Sequence, residues 1–148
     1  MNRRILSFCG LLLGLLFLAS SCKNKKDTPR LQLSSVELRQ TVWNGTLEYK
    51  NPKRDNYSVY LNFLSDSEVE VSAYDLKDPT HSRDVQVRYY YTITDRIFTL
   101  KAQVNYELHP QMDQDTWYLI RKEPSLLVFQ ANAGNPDREA TLTLRKKL

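Results

Sequence analysis

Cysteine, glycine and histidine are scarce in this chain, which has 148 residues but only 2 cysteines, 4 glycines and 2 histidines. Both cysteines, Cys9 and Cys22, lie near the N-terminus, and no cysteine follows them. The rest of the chain therefore lacks disulfides, cysteine-based zinc sites and cysteine nucleophiles. The sequence also contains no glycine-rich phosphate-binding loop and no Gly-x-Ser-x-Gly motif.

The two histidines do not form a recognisable catalytic or metal-binding motif. His81-Ser82-Arg83-Asp84 contains the residue types of a triad, but triad geometry is built from separate elements rather than from adjacent residues. His109 is followed by Asp113 and Asp115, a spacing that fits no established metal-binding loop. We expect a protein that is not an enzyme and that uses no cofactor and no metal.

Only one long apolar run is present, from Ile5 to Ala19. It follows Asn2-Arg3-Arg4 and precedes Ser20-Ser21-Cys22, which is the layout of a secretory signal. The residues Leu18-Ala19-Ser20-Ser21-Cys22 resemble a bacterial lipobox, in which the cysteine is acylated and becomes the new N-terminus. A plain signal peptide and an uncleaved anchor are the alternatives, although a spanning helix needs about 20 apolar residues.

This interpretation divides the chain into a signal peptide (1–21), a lipidated polar tether (22–30) and a single folded domain (31–148). The net charge of +4 belongs to the first two parts. From Leu31 onward 15 Lys and Arg residues face 16 Asp and Glu residues, so a nucleic-acid partner is not expected. The basic tether would lie next to the bilayer, where anionic head groups attract it.

The domain is predicted to be all-β, because eight short runs alternate apolar and polar residues between turn residues. The runs are Thr41–Lys50, Tyr57–Leu64, Glu68–Asp75, Val85–Ile93, Ile97–Val104, Asp115–Arg121, Leu126–Ala131 and Glu139–Lys146. One short helical turn is expected at Ser35–Arg39, capped by Ser34 or Ser35.

Alternation also predicts the register of neighbouring strands, since opposite residues share a face. Pairing Phe63 with Val69 leaves a three-residue loop, and pairing Ile93 with Phe98 leaves a two-residue loop. The sixth and seventh runs allow two arrangements. Either Tyr118 and Ile120 face inward with Leu127 and Phe129, or Trp117 and Leu119 face inward with Leu126 and Val128.

Eight sequential strands with one apolar face indicate an antiparallel up-and-down meander. Closing the meander into a barrel removes the exposed edge strands. A barrel of eight strands has an interior that side chains can fill or that can hold one small ligand. A β-sandwich of the same strands is the alternative.

The lipobox, the polar tether, the turn of helix, Trp43-Asn44-Gly45 and the eight strands together resemble the small lipocalin-like lipoproteins of Bacteroidetes. The resemblance implies a barrel whose base is plugged by Trp43 beside Gly45. It also implies a binding or inhibitory role rather than catalysis. Lys23-Asn24-Lys25-Lys26 differs from the acidic residues that follow the cysteine in surface-exposed lipoproteins of such bacteria. The expected location is therefore the periplasmic side of the outer membrane.

The nine tyrosines suggest two candidate sites. The alternation of inward and outward residues along each strand places Tyr57, Tyr89, Tyr91 and Phe98 on the inner face. They form either a ligand pocket or a solid aromatic core whose hydroxyl groups lie at the rim. The expected ligand is small and apolar or amphipathic.

A second set of tyrosines, Tyr60, Tyr74 and Tyr90, faces outward together with Arg88. This set is either a patch for an envelope protein or glycan, or ordinary cross-strand pairing. Tyr90 is predicted to lie within about 10 Å of Tyr60. The chain is expected to be a monomer that meets the membrane through its lipid.

Overall fold

The computed structural model describes residues 31–77, 86–103 and 112–148, all of which belong to the unit Leu31–Leu148. A single helical turn, α1 (Ser35–Leu38), precedes eight strands. The strands are β1 (Thr41–Tyr49), β2 (Tyr57–Phe63), β3 (Glu68–Asp75), β4 (Val87–Thr94), β5 (Ile97–Ala102), β6 (Thr116–Glu123), β7 (Leu126–Ala131) and β8 (Ala140–Lys146). Each begins and ends within two residues of its predicted run.

The strands form a closed antiparallel barrel in the order β1 to β8, with β1 paired to β8. The predicted up-and-down barrel is confirmed, and the sandwich alternative is wrong. The pairing of consecutive strands follows from the sequence pattern, because every strand has one apolar face and short connections favour pairing between neighbours. The β1–β8 pair then closes the barrel. The buried side chains of all eight strands join one core together with Leu33 and Leu38.

The two predicted hairpin registers are confirmed. Phe63 lies opposite Val69, and Ile93 lies opposite Phe98. The Asp95-Arg96 turn contains no glycine, and Asp95 adopts the positive φ of 55° that such a tight turn requires. Aspartate tolerates this conformation better than most residues because its short side chain can hydrogen-bond locally.

The β6–β7 hairpin differs from both predicted arrangements. Trp117 and Leu119 face inward, yet on the partner strand the inward side chains of the core are Leu127 and Phe129. The register shifts between Leu119 and Arg121, so Ile120 is an extra residue and is 52% exposed. Beyond such a β-bulge, the inward-facing residues of one strand are shifted by one position relative to those of its partner. A prediction from strict alternation of inward and outward residues cannot anticipate this shift.

The barrel has two different ends. The closed end consists of α1 and the β2–β3, β4–β5 and β6–β7 turns. Here Ser34 N donates to Glu37 Oε2 (3.0 Å) at the start of α1, and Gln40 N donates to Phe63 O (2.8 Å). We refer to the opposite end, which carries the longer β1–β2 and β7–β8 connections, as the open end. The described parts of the β3–β4 and β5–β6 connections, residues 76–77, 86, 103 and 112–115, also lie there.

Candidate binding site

The side chains predicted to line an interior pocket are packed inside the barrel. Tyr89, Tyr91 and Phe98 are 0%, 1% and 1% exposed, whereas Tyr57 is half-buried at the open end. The Phe98 ring lies 6.2, 5.8 and 5.4 Å from the rings of Phe63, Tyr91 and Phe129. Rings at these separations are in contact, so the described part of the interior is filled here. That the four residues contact a ligand stays a prediction.

The hydroxyl groups of two inward tyrosines reach opposite rims of the barrel. Tyr91 Oη donates to the Ser65 carbonyl oxygen (2.8 Å) in the β2–β3 turn at the closed end. Burial, together with the neighbouring Asp66 carboxylate, raises the pKa of Tyr91 to about 12. The Tyr49 hydroxyl lies at the open end. Both rings thus keep an apolar body in the core and a satisfied polar tip outside it.

A charged cluster at the open end is formed by Tyr49, Arg54 and Asp113. Tyr49 Oη donates to Asp113 Oδ1 (2.9 Å), and Arg54 Nη1 lies 3.0 Å from Asp113 Oδ2. The Arg54 guanidinium also stacks 3.5 Å above the Tyr49 ring. Burial and the hydrogen bond to Asp113 raise the pKa of Tyr49, which therefore stays a neutral donor.

The open-end cluster continues toward β6 and the β7–β8 connection. Gln114 Nε2 donates to Asp113 Oδ1 (2.9 Å), Asn132 Nδ2 donates to Gln114 Oε1, and Trp117 Nε1 donates to the Gln114 carbonyl oxygen (3.1 Å). Met112 beside them is 0% exposed. The cluster therefore fastens the segment before β6 to β1 and closes this side of the open end. Tyr49 and Arg54 are close in the sequence, but Asp113 lies 59 residues after Arg54, so the three form no local motif.

We expect Asp113→Asn to destabilise the protein by about 1–2 kcal/mol at neutral pH, because it weakens the charge-assisted bonds from Arg54 and Tyr49. Burial raises the pKa of Asp113, but the bonds from Arg54 and Tyr49 outweigh it and hold the pKa below its usual range. A depressed pKa contributes stability above the unfolded value of about 4, and the contribution is lost as pH falls through the folded value.

Urea unfolding of wild type and Asp113→Asn at neutral and at acidic pH tests this expectation. The difference between the two proteins should shrink in acid. Asp115→Asn is the matched control, because Asp115 is exposed and forms no ion pair among the described residues. A difference that persists unchanged in acid would contradict the assigned role of the Asp113 charge.

Of the predicted barrel-base residues, Trp43 lies near the closed end and Gly45 lies in the middle of β1. Trp43 is 3% exposed, and its Nε1 donates to Thr41 Oγ1 (2.8 Å). Gly45 faces β8 so closely that a Cβ atom would lie 1.7 Å from the Thr143 carbonyl oxygen. Trp43 also lines a groove of about 470 Å³ between α1 and the β6–β7 turn, with Leu38 and Leu127.

The outward tyrosines do not all come together. Tyr60 lies opposite Ser72, whereas Tyr90 lies opposite Glu68, four residues further along β3. At about 3.3 Å per residue and 4.8 Å per strand, Tyr90 is roughly 16 Å from Tyr60. The predicted 10 Å spacing is therefore wrong, because the β3–β4 register is shifted toward the closed end.

Tyr60 and Tyr74 do share a groove, which the remaining candidate Arg88 adjoins. The Tyr60, Ser72, Tyr74 and Gln86 side chains line a groove of about 400 Å³ on the outer face of β2 and β3. Gln86 also lines a second groove of about 340 Å³, together with Glu70, Arg88 and Gln103. The two grooves adjoin at Gln86, and we refer to them as the tyrosine groove.

Glu70 organises the polar half of the tyrosine groove. Its carboxylate accepts hydrogen bonds from Arg88 Nη2 (2.6 Å), Gln86 Nε2 (3.0 Å) and Asn62 Nδ2 (3.4 Å). Its side chain is 16% exposed, so these donors replace much of its hydration. The Glu70–Arg88 pair leaves this part of the groove polar but without net charge.

Several predicted features lie outside the described residues, namely Cys22, His81, His109 and the signal peptide and tether. Within the described ranges, no three His, Cys, Asp or Glu side chains are grouped to hold a metal ion. No helix among these residues is both apolar and long enough to cross a bilayer.

No protein-family model, curated protein or solved structure matches this chain. The class to which it belongs is therefore defined by its fold alone. It is a closed eight-stranded antiparallel barrel, an architecture compatible with ligand binding.

Proposed function

We propose that this protein is a non-catalytic binding module that a lipid on Cys22 holds in the bacterial cell envelope, facing the periplasm from the outer membrane. We further propose that it binds a neutral glycan in the tyrosine groove. The observation that carries the second proposal is the juxtaposition of two half-buried tyrosines with a polar, charge-balanced groove.

The chemistry of the tyrosine groove matches that of a sugar. A sugar ring has an apolar C–H face that packs on an aromatic ring, and hydroxyls at its edge that need donors and acceptors. Tyrosine rings supply contact area at low entropic cost, and amide side chains supply adaptable hydrogen bonds. Tyr60 and Tyr74 provide the aromatic rings, and Gln86 and Gln103 provide the amide groups. Lys147, whose Nζ lies 5.7 Å from the Tyr60 ring centroid, adds a donor at the edge.

Binding of neutral polysaccharides, measured by affinity electrophoresis and calorimetry, tests the glycan proposal. We expect Tyr60→Ala/Tyr74→Ala to weaken binding about tenfold or more, since each aromatic anchor contributes on the order of 1 kcal/mol. Tyr118→Ala is the matched control, because Tyr118 is 48% exposed on β6, away from the tyrosine groove. Equal affinities for all three proteins would overturn the proposal. The glycan proposal would also be overturned if envelope extracts yielded only a protein partner and the double variant no longer recovered that partner.

A small apolar ligand inside the barrel is the second candidate, and the closed eight-stranded fold favours it. Because Tyr89, Tyr91 and Phe98 are almost fully buried, such a ligand has to displace packed rings. Native mass spectrometry of protein purified from its own host would detect the ligand as added mass. A mass equal to that of the lipidated chain alone would exclude a retained ligand.

A further inference from the structure

The closed end of the barrel carries more basic side chains than carboxylates. Its connections and outermost strand residues include Arg39, Arg96, Lys122, Arg145, Lys146 and Lys147, against Glu37, Asp66, Glu68, Asp95 and Glu123. At the same depth, the basic and acidic side chains balance among the described residues of the open end, with Lys50, Lys53, Arg54, Lys77, Arg88, Lys101 and Arg138 against Glu48, Asp55, Asp75, Asp113, Asp115, Asp137 and Glu139.

Ion pairs neutralise part of the closed end but not the end of β8. Glu37 pairs with Lys122 (2.7 Å), Asp66 with Arg39 (3.9 Å), and Glu123 with Arg121. No described carboxylate forms an ion pair with Arg145, Lys146 or Lys147, and all three side chains are exposed. Arg145 and Lys146 therefore keep their charge available at this end, whereas the Lys147 ammonium lies near the Tyr60 ring.

The closed-end groove places one of these charges beside apolar surface. Its volume is about 470 Å³, and its apolar lining includes Leu33, Leu38, Trp43 and Leu127. Lys122, Lys146, Glu37 and Glu123 also line it. Lys122 pairs with Glu37, so Lys146 is the lysine of this groove that forms no ion pair with a described carboxylate. An apolar floor with such a lysine at the rim matches the chemistry of a phospholipid, whose phosphate is anionic and whose acyl chains are apolar.

The chain also enters the folded unit at the closed end. Leu33 N donates to the Asp95 carbonyl oxygen (3.0 Å), and Lys122 Nζ donates to the Gln32 carbonyl oxygen (2.8 Å). The residues from Cys22 to Arg30 precede this point and include Lys23, Lys25, Lys26 and Arg30. Nine residues reach at most about 30 Å, so an anchor on Cys22 keeps the closed end within that distance of the membrane.

We propose that the closed end of the barrel docks on an anionic phospholipid bilayer, with Arg145 and Lys146 at the phosphates and the closed-end groove against the lipid. The proposal rests on the proposed lipid anchor, which holds this end near the bilayer. Docking in this orientation leaves the open end pointing away from the membrane and the tyrosine groove on the flank of the barrel.

Fluorescent labels at two matched positions test this orientation. The proposed mature chain has no cysteine beyond the acylated Cys22, so Ser125→Cys and Ala133→Cys place single labels at exposed positions of the closed and open ends. The lipidated proteins are reconstituted into vesicles of phosphatidylcholine alone or with phosphatidylglycerol, both carrying a head-group quencher. We expect the closed-end label to be quenched severalfold more than the open-end label when phosphatidylglycerol is present.

Charge variants separate docking from anchoring. Arg145→Glu/Lys146→Glu should abolish the difference in quenching, whereas Lys53→Glu/Arg138→Glu, with the same change in charge at the open end, should leave it intact. Equal quenching at both ends, or a difference that survives Arg145→Glu/Lys146→Glu, would overturn the docking proposal.

Flotation with vesicles in concentrated salt reports the anchor alone, because salt screens the docking charges. Protein that stays behind in concentrated salt would show that the anchor is absent. Docking is then decided by flotation in dilute salt. Docking is supported if the protein prefers vesicles that contain phosphatidylglycerol and if Arg145→Glu/Lys146→Glu lowers this preference about tenfold. Docking is overturned if the wild-type protein shows no such preference.

Discussion

Gly45→Ala is expected to lower the free energy of unfolding by about 3 kcal/mol or more, at the upper limit of the usual cost of overpacking. The added methyl carbon would lie 1.7 Å from the Thr143 carbonyl oxygen and 3.0 Å from the Leu144 Cα atom. Both neighbours are backbone atoms of β8, so no side chain can rotate away. Relief requires separating β1 from β8, which are paired from Trp43 to Tyr49.

The same substitution at another glycine provides the control. Gly134 has a positive φ of 86°, but a methyl carbon added there would have no other atom within 4 Å. Gly134→Ala should therefore cost only about 1 kcal/mol of backbone strain. Urea unfolding monitored by tryptophan fluorescence compares the two variants. If Gly45→Ala were no more destabilising than Gly134→Ala, β1 and β8 could not approach as closely as described.

Phe98→Ala is expected to destabilise the protein by about 3–5 kcal/mol, the usual cost of truncating a fully buried phenylalanine. Phe98 is 1% exposed and contacts the rings of Phe63, Tyr91 and Phe129. Its removal would leave a cavity at the centre of this aromatic cluster. The surrounding strands are closed into a barrel and have little freedom to collapse into it.

Two further variants determine whether this cost reflects packing. Phe98→Leu, which restores most of the volume, should cost less than about 1.5 kcal/mol, and Tyr90→Ala at a 47% exposed position should cost less than about 0.5 kcal/mol. A small effect of Phe98→Ala would mean that the interior is loosely packed. That result would favour the proposal of a ligand inside the barrel over binding in the tyrosine groove.

The architecture could be predicted from the sequence because its determinants are local. Alternation identified all eight strands, and parity across short turns gave the Phe63–Val69 and Ile93–Phe98 registers. Each of these inferences needs only residues that are near one another in the chain. The short helical turn was predictable for the same reason, since Ser34 and Glu37 form a local capping pattern.

Features that depend on one added residue or on distant contacts could not be predicted in this way. The bulge at Ile120 changes the parity between β6 and β7, and no residue type marks it. Arg54 and Asp113 belong to different open-end connections and meet only because the barrel closes. Tyr90 is displaced from Tyr60 by the β3–β4 register, which a long connection leaves unspecified. Gly45 stood out in the sequence, but its contact with Thr143 required the β1–β8 pairing.

The pairing of β1 with β8 also determines when the barrel can form. The paired residues are between 91 (Tyr49 with Ala140) and 103 (Trp43 with Lys146) positions apart in the chain. Contacts of such long sequence separation carry the largest loop-closure entropy and form slowly. The seven hairpin pairings can assemble as the chain emerges, but β1 keeps one unpaired edge until β8 is available. During that interval the nascent chain exposes the backbone groups on which strand-to-strand aggregation depends, so its vulnerability to aggregation is confined to the time before the last strand docks.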